Sequence, residues 1–366
     1  MLKALGFATG GFLLIILYCR FKFLKTFSII QIIAFILLLT KGVDAQTNVD
    51  WLSHLPDSIS IGDINIPGAH DAAAINIHKM THYACQSISI TGQLDSGIRM
   101  LDIRIKVKKH GANYSFATCH GNIFGGALEF NEYQSFSSLL NECKDFLVKH
   151  KSEFIIMTLK MDDWNRKDKT HVYAALDSLL FSKTNNYPVY NISDADLPTI
   201  NKVRGKIYLL SRIDSTNEFG VPLTIPDKKC GVLNPINKLR NYSIYVQDRY
   251  KDLGTPAEKL KFELVKETIE KKKKGDGIVV LNFASAIKGF MNLGKVYLQD
   301  SLLTYFGSKT AAIRPAYFGW TMLNYSFWKY KTDNYNNLDI VKLIISSNFQ
   351  YTNYFEKFRV ISGRCN

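Results

Sequence analysis

The sequence predicts an α/β protein built as a distorted (β/α)8 TIM-like barrel in a single domain. Two observations carry this. Eight apolar, mostly alternating segments recur between residues 64 and 325, several of them separated by stretches with helical spacing. Polar and titratable residues then gather at the far ends of those segments, where barrels of this class build their sites.

The first segment has Ile64 and Ile66 alternating with Asp63 and Asn65, and Pro67-Gly68 breaks its ladder just before His70-Asp71. Residues 98–108 alternate with period two, putting Leu101, Ile103, Ile105 and Val107 on one face and Asp102, Arg104 and Lys106 on the other. Residues 114–120 read as a third strand, 154–160 as a fourth and 206–212 as a fifth; 243–250, 278–285 and 316–325 complete the set. Between them, 131–150 repeats apolar residues at helical spacing (Phe136, Leu139, Leu140, Cys143, Phe146, Leu147), and 170–181 does the same. Thr255-Pro256-Ala257-Glu258 supplies an N-cap, a first-position proline and a capping-box acid, opening a helix to about Lys274. Residues 338–345 form another helix. The 106–114 connection is too short for a helix, so the barrel is irregular.

Residues 1–45 are read as a targeting segment outside the fold, and 46–366 as the catalytic barrel. Basic residues Arg20, Lys22 and Lys25 precede an apolar run that ends in Val43-Asp44-Ala45, an exit of the small-x-small kind cut by signal peptidase. Export with cleavage after Ala45 is the preferred reading, and an uncleaved membrane anchor is the alternative. Cleavage removes five basic residues and one acid, leaving 41 basic and 31 acidic residues and a net charge of +10, against +14 for the whole chain. That balance favours an anionic partner such as a lipid surface or a phosphate ester. Beyond the leader, five cysteines remain (Cys85, Cys119, Cys143, Cys230, Cys365), an odd number without any Cys-x-x-Cys pair, which argues against a structural zinc site. Sequons at Asn113, Asn191, Asn241 and Asn324 matter only in a glycosylating host.

The strand ends bring together His70-Asp71, Asp102 with Arg104, His120, Lys160, Arg212, Asp248 with Tyr250, and Asn324. Singly each has a bland reading: a satisfied histidine, a structural Asp102–Arg104 ion pair, a solvated lysine. The Lys271–Lys274 run is solvated charge near a helix end, and His78, His82, His110 and His150 receive no role. Together, two imidazoles and a guanidinium on one rim suit phosphoryl transfer without a metal. One imidazole takes a proton from an attacking hydroxyl and the other gives one to the leaving oxygen. The guanidinium offers paired donors as charge develops on phosphate.

The ordered blocks IPGAHD, GIRMLDIR, CHG, FIIMTLK, RGKIYLLSR, YVQDRY and LNFAS closely resemble the bacterial-type phosphatidylinositol-specific phospholipase C (X-domain) family, from about Leu55 to Asn324. The resemblance implies attack of the inositol 2-hydroxyl on the phosphate, releasing diacylglycerol and a cyclic inositol phosphate. It assigns His70 as general base, His120 as general acid, Arg104 as phosphate ligand and Asp71 as the carboxylate assisting the leaving-group side. Asp102 matches the aspartate of the family's D-x-R strand. Lys160, Arg212, Asp248 and Tyr250 match positions that contact the inositol ring, Tyr250 by stacking. Asn324 stands where the family commonly has an Asp bonded to the base, with Asp333 or Asp339 as alternative sources of that carboxylate.

Calcium-dependent relatives carry acids where this chain has Arg104, so no metal and no cofactor is expected. The expected partner is phosphatidylinositol in membranes, met by transient surface binding of a secreted monomer; activity on glycosylphosphatidylinositol anchors is left open, because the chemistry ends at the same phosphate. Two other readings stay open. One is a non-catalytic inositol-lipid binding protein; it is disfavoured because binding alone has no use for two rim histidines. The other is a different secreted phosphodiesterase, such as a ribonuclease. The aromatic stacking positions that nucleic acid requires are too few for it, and no nucleic-acid partner is expected.

Overall fold

The computed structural model describes residues 48–350 apart from 76–83, 123–129, 164–165, 191–196, 214–218, 226–234, 239–241, 251–252, 254–255, 271–276, 289–290, 293–296, 312–316 and 325–339. The leader, His78, His82, Lys271–Lys274, Cys230, Cys365, Asp333 and Asp339 lie outside the described residues. Thr47–Asn353 form one compact unit.

Among the described residues, eight parallel strands make the barrel wall. In spatial order they are β7 (Val221–Pro222), β6 (Ile207–Ser211), β5 (Ile155–Asp163), β2 (Met100–His110), β1 (Ile66–Ala69), β11 (Trp320–Leu323), β10 (Ile278–Ala284) and β9 (Ser243–Gln247). β8 (Pro235–Lys238) lies antiparallel on β9. Among the described residues no pairing joins β7 to β8, so the ring is curled and left open there.

Two expectations about strands need correction. The 114–120 segment is β3 (Asn113–Asn122), and it is not a wall strand: a short turn at Gly111 folds it back antiparallel on β2, with β4 (Phe130–Ser135) beyond it. The eighth parallel strand is instead the two-residue β7, too short to show a period. Pro67-Gly68 lies inside β1 and does not end it. Pairing of β1 with β2 starts only at Gly68↔Met100, so the donor that Pro67 lacks falls just ahead of that ladder.

The core is continuous between the wall and its helices. Helix α2 (Phe136–Lys149) buries the six residues that its spacing nominates, Phe136, Leu139, Leu140, Cys143, Phe146 and Leu147. It starts five residues later than the 131–150 reading, because 131–135 belongs to β4. Ser135 Oγ caps it by accepting from Ser138 N at 3.1 Å. Helix α3 (Lys169–Phe181) follows as expected; α1 (Ile90–Asp95) and α5 (Tyr297–Ala311) were not foreseen. Helix α4 (Ala257–Glu270) lies within the expected 255–274, and α6 (Ile340–Gln350) begins two residues after 338.

Asn65, just before β1, ties the two chain ends of the barrel together. Its Oδ1 accepts from Phe318 N and Gly319 N at 2.7 and 2.9 Å, and its backbone exchanges hydrogen bonds with the Asn348 amide of α6. Gly319 has φ +66, and a Cβ there would meet Val280 O at 2.5 Å, so only glycine fits this approach to β11. β1 and β11 are thereby held in a register that sets Ala69 opposite Leu323, one residue before His70 and Asn324.

Candidate active site

The parallel register explains which side chains meet. Ala69↔Leu323 carries His70 and Asn324 out side by side, and His70 Nδ1 lies 2.8 Å from Asn324 Oδ1. An amide oxygen only accepts, so it keeps the proton on Nδ1 and leaves Nε2 as the basic nitrogen. The His70 backbone is also pinned. Its N–H donates to Leu323 O at 3.0 Å, and buried Gln86 donates to His70 O at 2.8 Å and Leu323 O at 2.9 Å.

Asp71 then turns the chain sharply with φ 42, a conformation that Asp tolerates better than most residues. Ala72 N donates to Asp102 O at 2.8 Å on β2, locking the turn. Strain of this kind persists where the surroundings over-determine it. It aims the buried Asp71 carboxylate at both imidazoles: Oδ2 is 3.1 Å from His70 Nε2 and 2.9 Å from His120 Nε2. His120 reaches this point because β3 returns antiparallel along β2, and the two imidazole centroids are 6.4 Å apart.

The other Asp71 oxygen, Oδ1, is 2.7 Å from Arg104 Nε. No hydrogen bond is formed across that contact, which is an ion pair. Burial alone would raise the Asp71 carboxyl; Arg104, His120 and His70 outweigh it and hold it well below the ordinary carboxylate range. Burial alone would lower Arg104, yet Asp71, Asp102 and Asp162 raise it, so its charge is permanent.

Arg104 and Lys160 are cross-strand partners, as are Asp102 and Thr158. Asp162, two residues past Lys160 on β5, bridges them: it pairs with Lys160 Nζ and lies 3.5 Å from Arg104 Nη1. Fully buried Asp102 accepts from Thr158 Oγ1 at 2.5 Å and Arg212 Nη1 at 3.0 Å. The bland alternative of a structural Asp102–Arg104 ion pair does not form: Asp102 is matched with Arg212, and Arg104 with Asp71 and Asp162. Asp248 and Tyr250 follow the end of β9, half-buried. Burial raises the Asp248 carboxyl, with Lys261, His70 and Arg212 pulling against it, which places Asp248 in the field of the site.

Of the ten nominated residues, most lie at or just beyond the carboxyl ends of the wall strands or on the hairpin beside them, whereas Asp102 and Arg104 lie in the first half of the long β2, level with the residues that follow the short β1. Missed were Asp162, Gln86 and Thr158; the buried thiol of Cys85 stands beside them with no part in the assigned chemistry, its Sγ 3.9 Å from Asp71 Oδ2. Asp162 had a signal, since it shares the Lys160 face by period two. Among the described residues His70, Asp71 and Cys85 are the group of metal-ligating types close enough to share an ion.

Residues 70–213 match the family described as phosphatidylinositol-specific phospholipase C, X domain. The chain is 31% identical over 250 residues to the 1-phosphatidylinositol phosphodiesterase of Listeria monocytogenes, covering 66% of this chain and 70% of that protein. The chain belongs to the phosphatidylinositol-specific phospholipase C family. Its activity class is phosphoric diester cleavage. A Staphylococcus aureus 1-phosphatidylinositol phosphodiesterase is 27% identical over 317 residues, 82% of this chain and 94% of that one. A solved double mutant of the S. aureus phospholipase C superposes with TM-score 0.66 at 24% identity, covering 83% of this chain and 97% of its own. The Listeria monocytogenes enzyme superposes at 0.60 and 24%, over 82% and 99%. These likenesses establish the distorted barrel fold.

Proposed function

We propose that this phospholipase C cleaves phosphatidylinositol by metal-independent transfer of the phosphoryl group to the inositol 2-hydroxyl. The reading rests on one observation: a single carboxylate faces two imidazole Nε2 atoms with one oxygen and a guanidinium with the other.

His70, with Nδ1–H held by Asn324, takes the hydroxyl proton at Nε2 as the oxygen attacks phosphorus. Arg104 stabilises the charge building on the non-bridging oxygens, its position set by Asp71 and Asp162. His120, charged beside the Asp71 anion, gives its proton to the departing diacylglycerol oxygen. One P–O bond forms and one breaks, one proton is taken and one given, and the products are diacylglycerol and inositol 1,2-cyclic phosphate. Asp71 favours the protonated form of His120 until the leaving oxygen needs that proton. Lys160, Arg212, Asp248 and Tyr250 are assigned to the inositol ring, a reading supported for Arg212 and Lys160 by their pairing with Asp102 and Asp162 of the cluster.

Net positive charge supports docking on anionic membranes, and the Val43-Asp44-Ala45 exit supports export. Among the described residues no helix is long and apolar enough to cross a membrane. The test is a product assay on phosphatidylinositol vesicles in excess chelator. Full activity with cyclic inositol phosphate as first product is expected. A requirement for a divalent cation, or linear inositol phosphate appearing first, would overturn the mechanism.

A further inference from the structure

We propose that the site also binds a borderline-soft divalent cation of the zinc type on Cys85, Asp71 and His70, and that this ion switches the enzyme off reversibly. The inhibitory half rests on the assignment of His70 as general base; the binding half does not.

The ligand atoms are already assembled. His70 Nε2 and Cys85 Sγ stand 3.1 and 3.9 Å from Asp71 Oδ2, and the three atoms lie within 4.8 Å of one another. Tetrahedral zinc, with bonds of about 2.0–2.3 Å, needs ligand separations of roughly 3.3–3.7 Å, so small adjustments close the shell. His120 Nε2, 2.9 Å from the same oxygen, is at hand as a fourth ligand.

The support behind these atoms is of the kind metal sites use. His70 gives its far nitrogen to Asn324 Oδ1, which fixes the ring and its tautomer. Asp71 gives its second oxygen to Arg104, leaving Oδ2 to face the imidazoles and the thiol. Cys85 is held by its own backbone, whose N–H donates to Ala74 O at 2.8 Å, and by the neighbouring Gln86 anchored on His70 O.

The donor set selects the ion. One sulfur, one or two imidazole nitrogens and one carboxylate oxygen suit zinc, cadmium or cobalt, whereas calcium and magnesium require shells of oxygen. The Arg104 charge opposes any cation, but the nearby carboxylates of Asp102 and Asp162 offset it. Binding replaces the Cys85 S–H bond with a metal–sulfur bond and releases one proton to solvent, with no change of oxidation state. The ion then occupies the His70 lone pair that must receive the hydroxyl proton, so turnover stops until a chelator removes it.

The test measures zinc binding to the full chain by calorimetry, and cobalt binding by its thiolate-to-metal charge-transfer absorption. Alongside these, zinc and calcium titrations of turnover on phosphatidylinositol–phosphatidylcholine vesicles are run for the wild type, Cys85→Ser and Cys85→Ala. Expected are binding with a thiolate band, inhibition by zinc and not by equal calcium, and relief by chelator. Both variants should keep basal turnover, lose the band and need at least ~10-fold more zinc for half-inhibition, the scale on which metal sites respond even to outer-shell loss. Equal zinc sensitivity in the Cys85 variants, or a wild type without the thiolate band, would overturn the proposal. A protein that binds zinc but never cleaves phosphatidylinositol would instead sink the functional reading and leave the metal site standing.

Discussion

Strand β2 has one arginine just before it and a second within it, and the two live in opposite ways. Arg99, just before the strand, is fully buried against Glu153 at 2.8 Å and also donates to Leu94 O and Ile98 O at 2.7 Å and to Val49 O. Its guanidinium packs 4.6 Å from the Phe146 ring. Arg104, near the exit, is partly open to solvent and sits among Asp71, Asp162 and the two histidines. Burial pulls Arg99 below its ordinary value, with Glu153 resisting, whereas the cluster of carboxylates raises Arg104. A closed pair, one cation to one anion with the remaining donors spent on carbonyls, glues the base of the barrel. An open cluster leaves a charge at the mouth for a substrate to use.

The largest effects should come from the open end. His70→Ala and His120→Ala should each lose ~10²–10⁴-fold in turnover with the melting temperature little changed, read by vesicle assay and thermal unfolding. A substrate with a much better leaving group should rescue His120→Ala in part and His70→Ala not at all, since only the acid becomes dispensable. Rescue of both would erase the distinction between base and acid.

At the closed end the outcome should invert. Glu153→Gln leaves Arg99 buried without its counter-charge, and breaking such a pair costs about 3–5 kcal/mol. Denaturant unfolding should show that loss while the folded fraction keeps wild-type turnover. A drop in turnover at unchanged stability would mean that the base of the barrel is not merely structural.

Lys261 sharpens the contrast, because it is closed like Arg99 yet neighbours Asp248 of the open end. Its Nζ donates to Gln247 Oε1 and Arg249 O, both at 2.8 Å. Burial pulls its ammonium down to about 7 from an ordinary 10.5, with Asp248 resisting. Between those values the unfolded chain binds the proton that the folded chain has released, so stability rises with pH across that window, by up to ~1.4 kcal/mol per unit, and the full cost is present below about 7. Lys261→Met should flatten that slope in urea melts; an unchanged slope would contradict a buried, easily neutralised lysine.

The smallest effect belongs to Asn324→Asp. A carboxylate beside His70 Nδ1 favours imidazolium, so the acidic limb of the rate profile should move to higher pH and turnover should change only a few-fold. An unmoved profile would mean that the 2.8 Å contact does not govern the base.

Much of this was legible in the chain because strand and helix periods report faces. The alternation of β2 separated Leu101, Ile103 and Ile105 from Asp102 and Arg104, and α2 buried the face that its spacing marked. Periods do not report partners. That Asp102 meets Arg212 while Arg104 meets Asp71 depends on register between strands dozens of residues apart and on the left-handed turn at Asp71. Nor does alternation distinguish a wall strand from a returning hairpin, so β3 was counted into the ring; that reversal is what carries His120 to its place. The Arg99–Glu153 pair left no mark, since neither residue stands out from the charges around it.

The central claim is that the charge at the mouth acts on substrate while the charge at the base holds the fold. Arg104→Lys and Arg99→Lys, compared for turnover and melting temperature, test it most directly. Each keeps the positive charge and loses the guanidinium fork. The account predicts a severe loss of turnover with a near-normal melting temperature for Arg104→Lys, and the reverse for Arg99→Lys. Near-normal turnover of Arg104→Lys with a lowered melting temperature would make that arginine structural and leave the metal-free mechanism without its electrostatic centre.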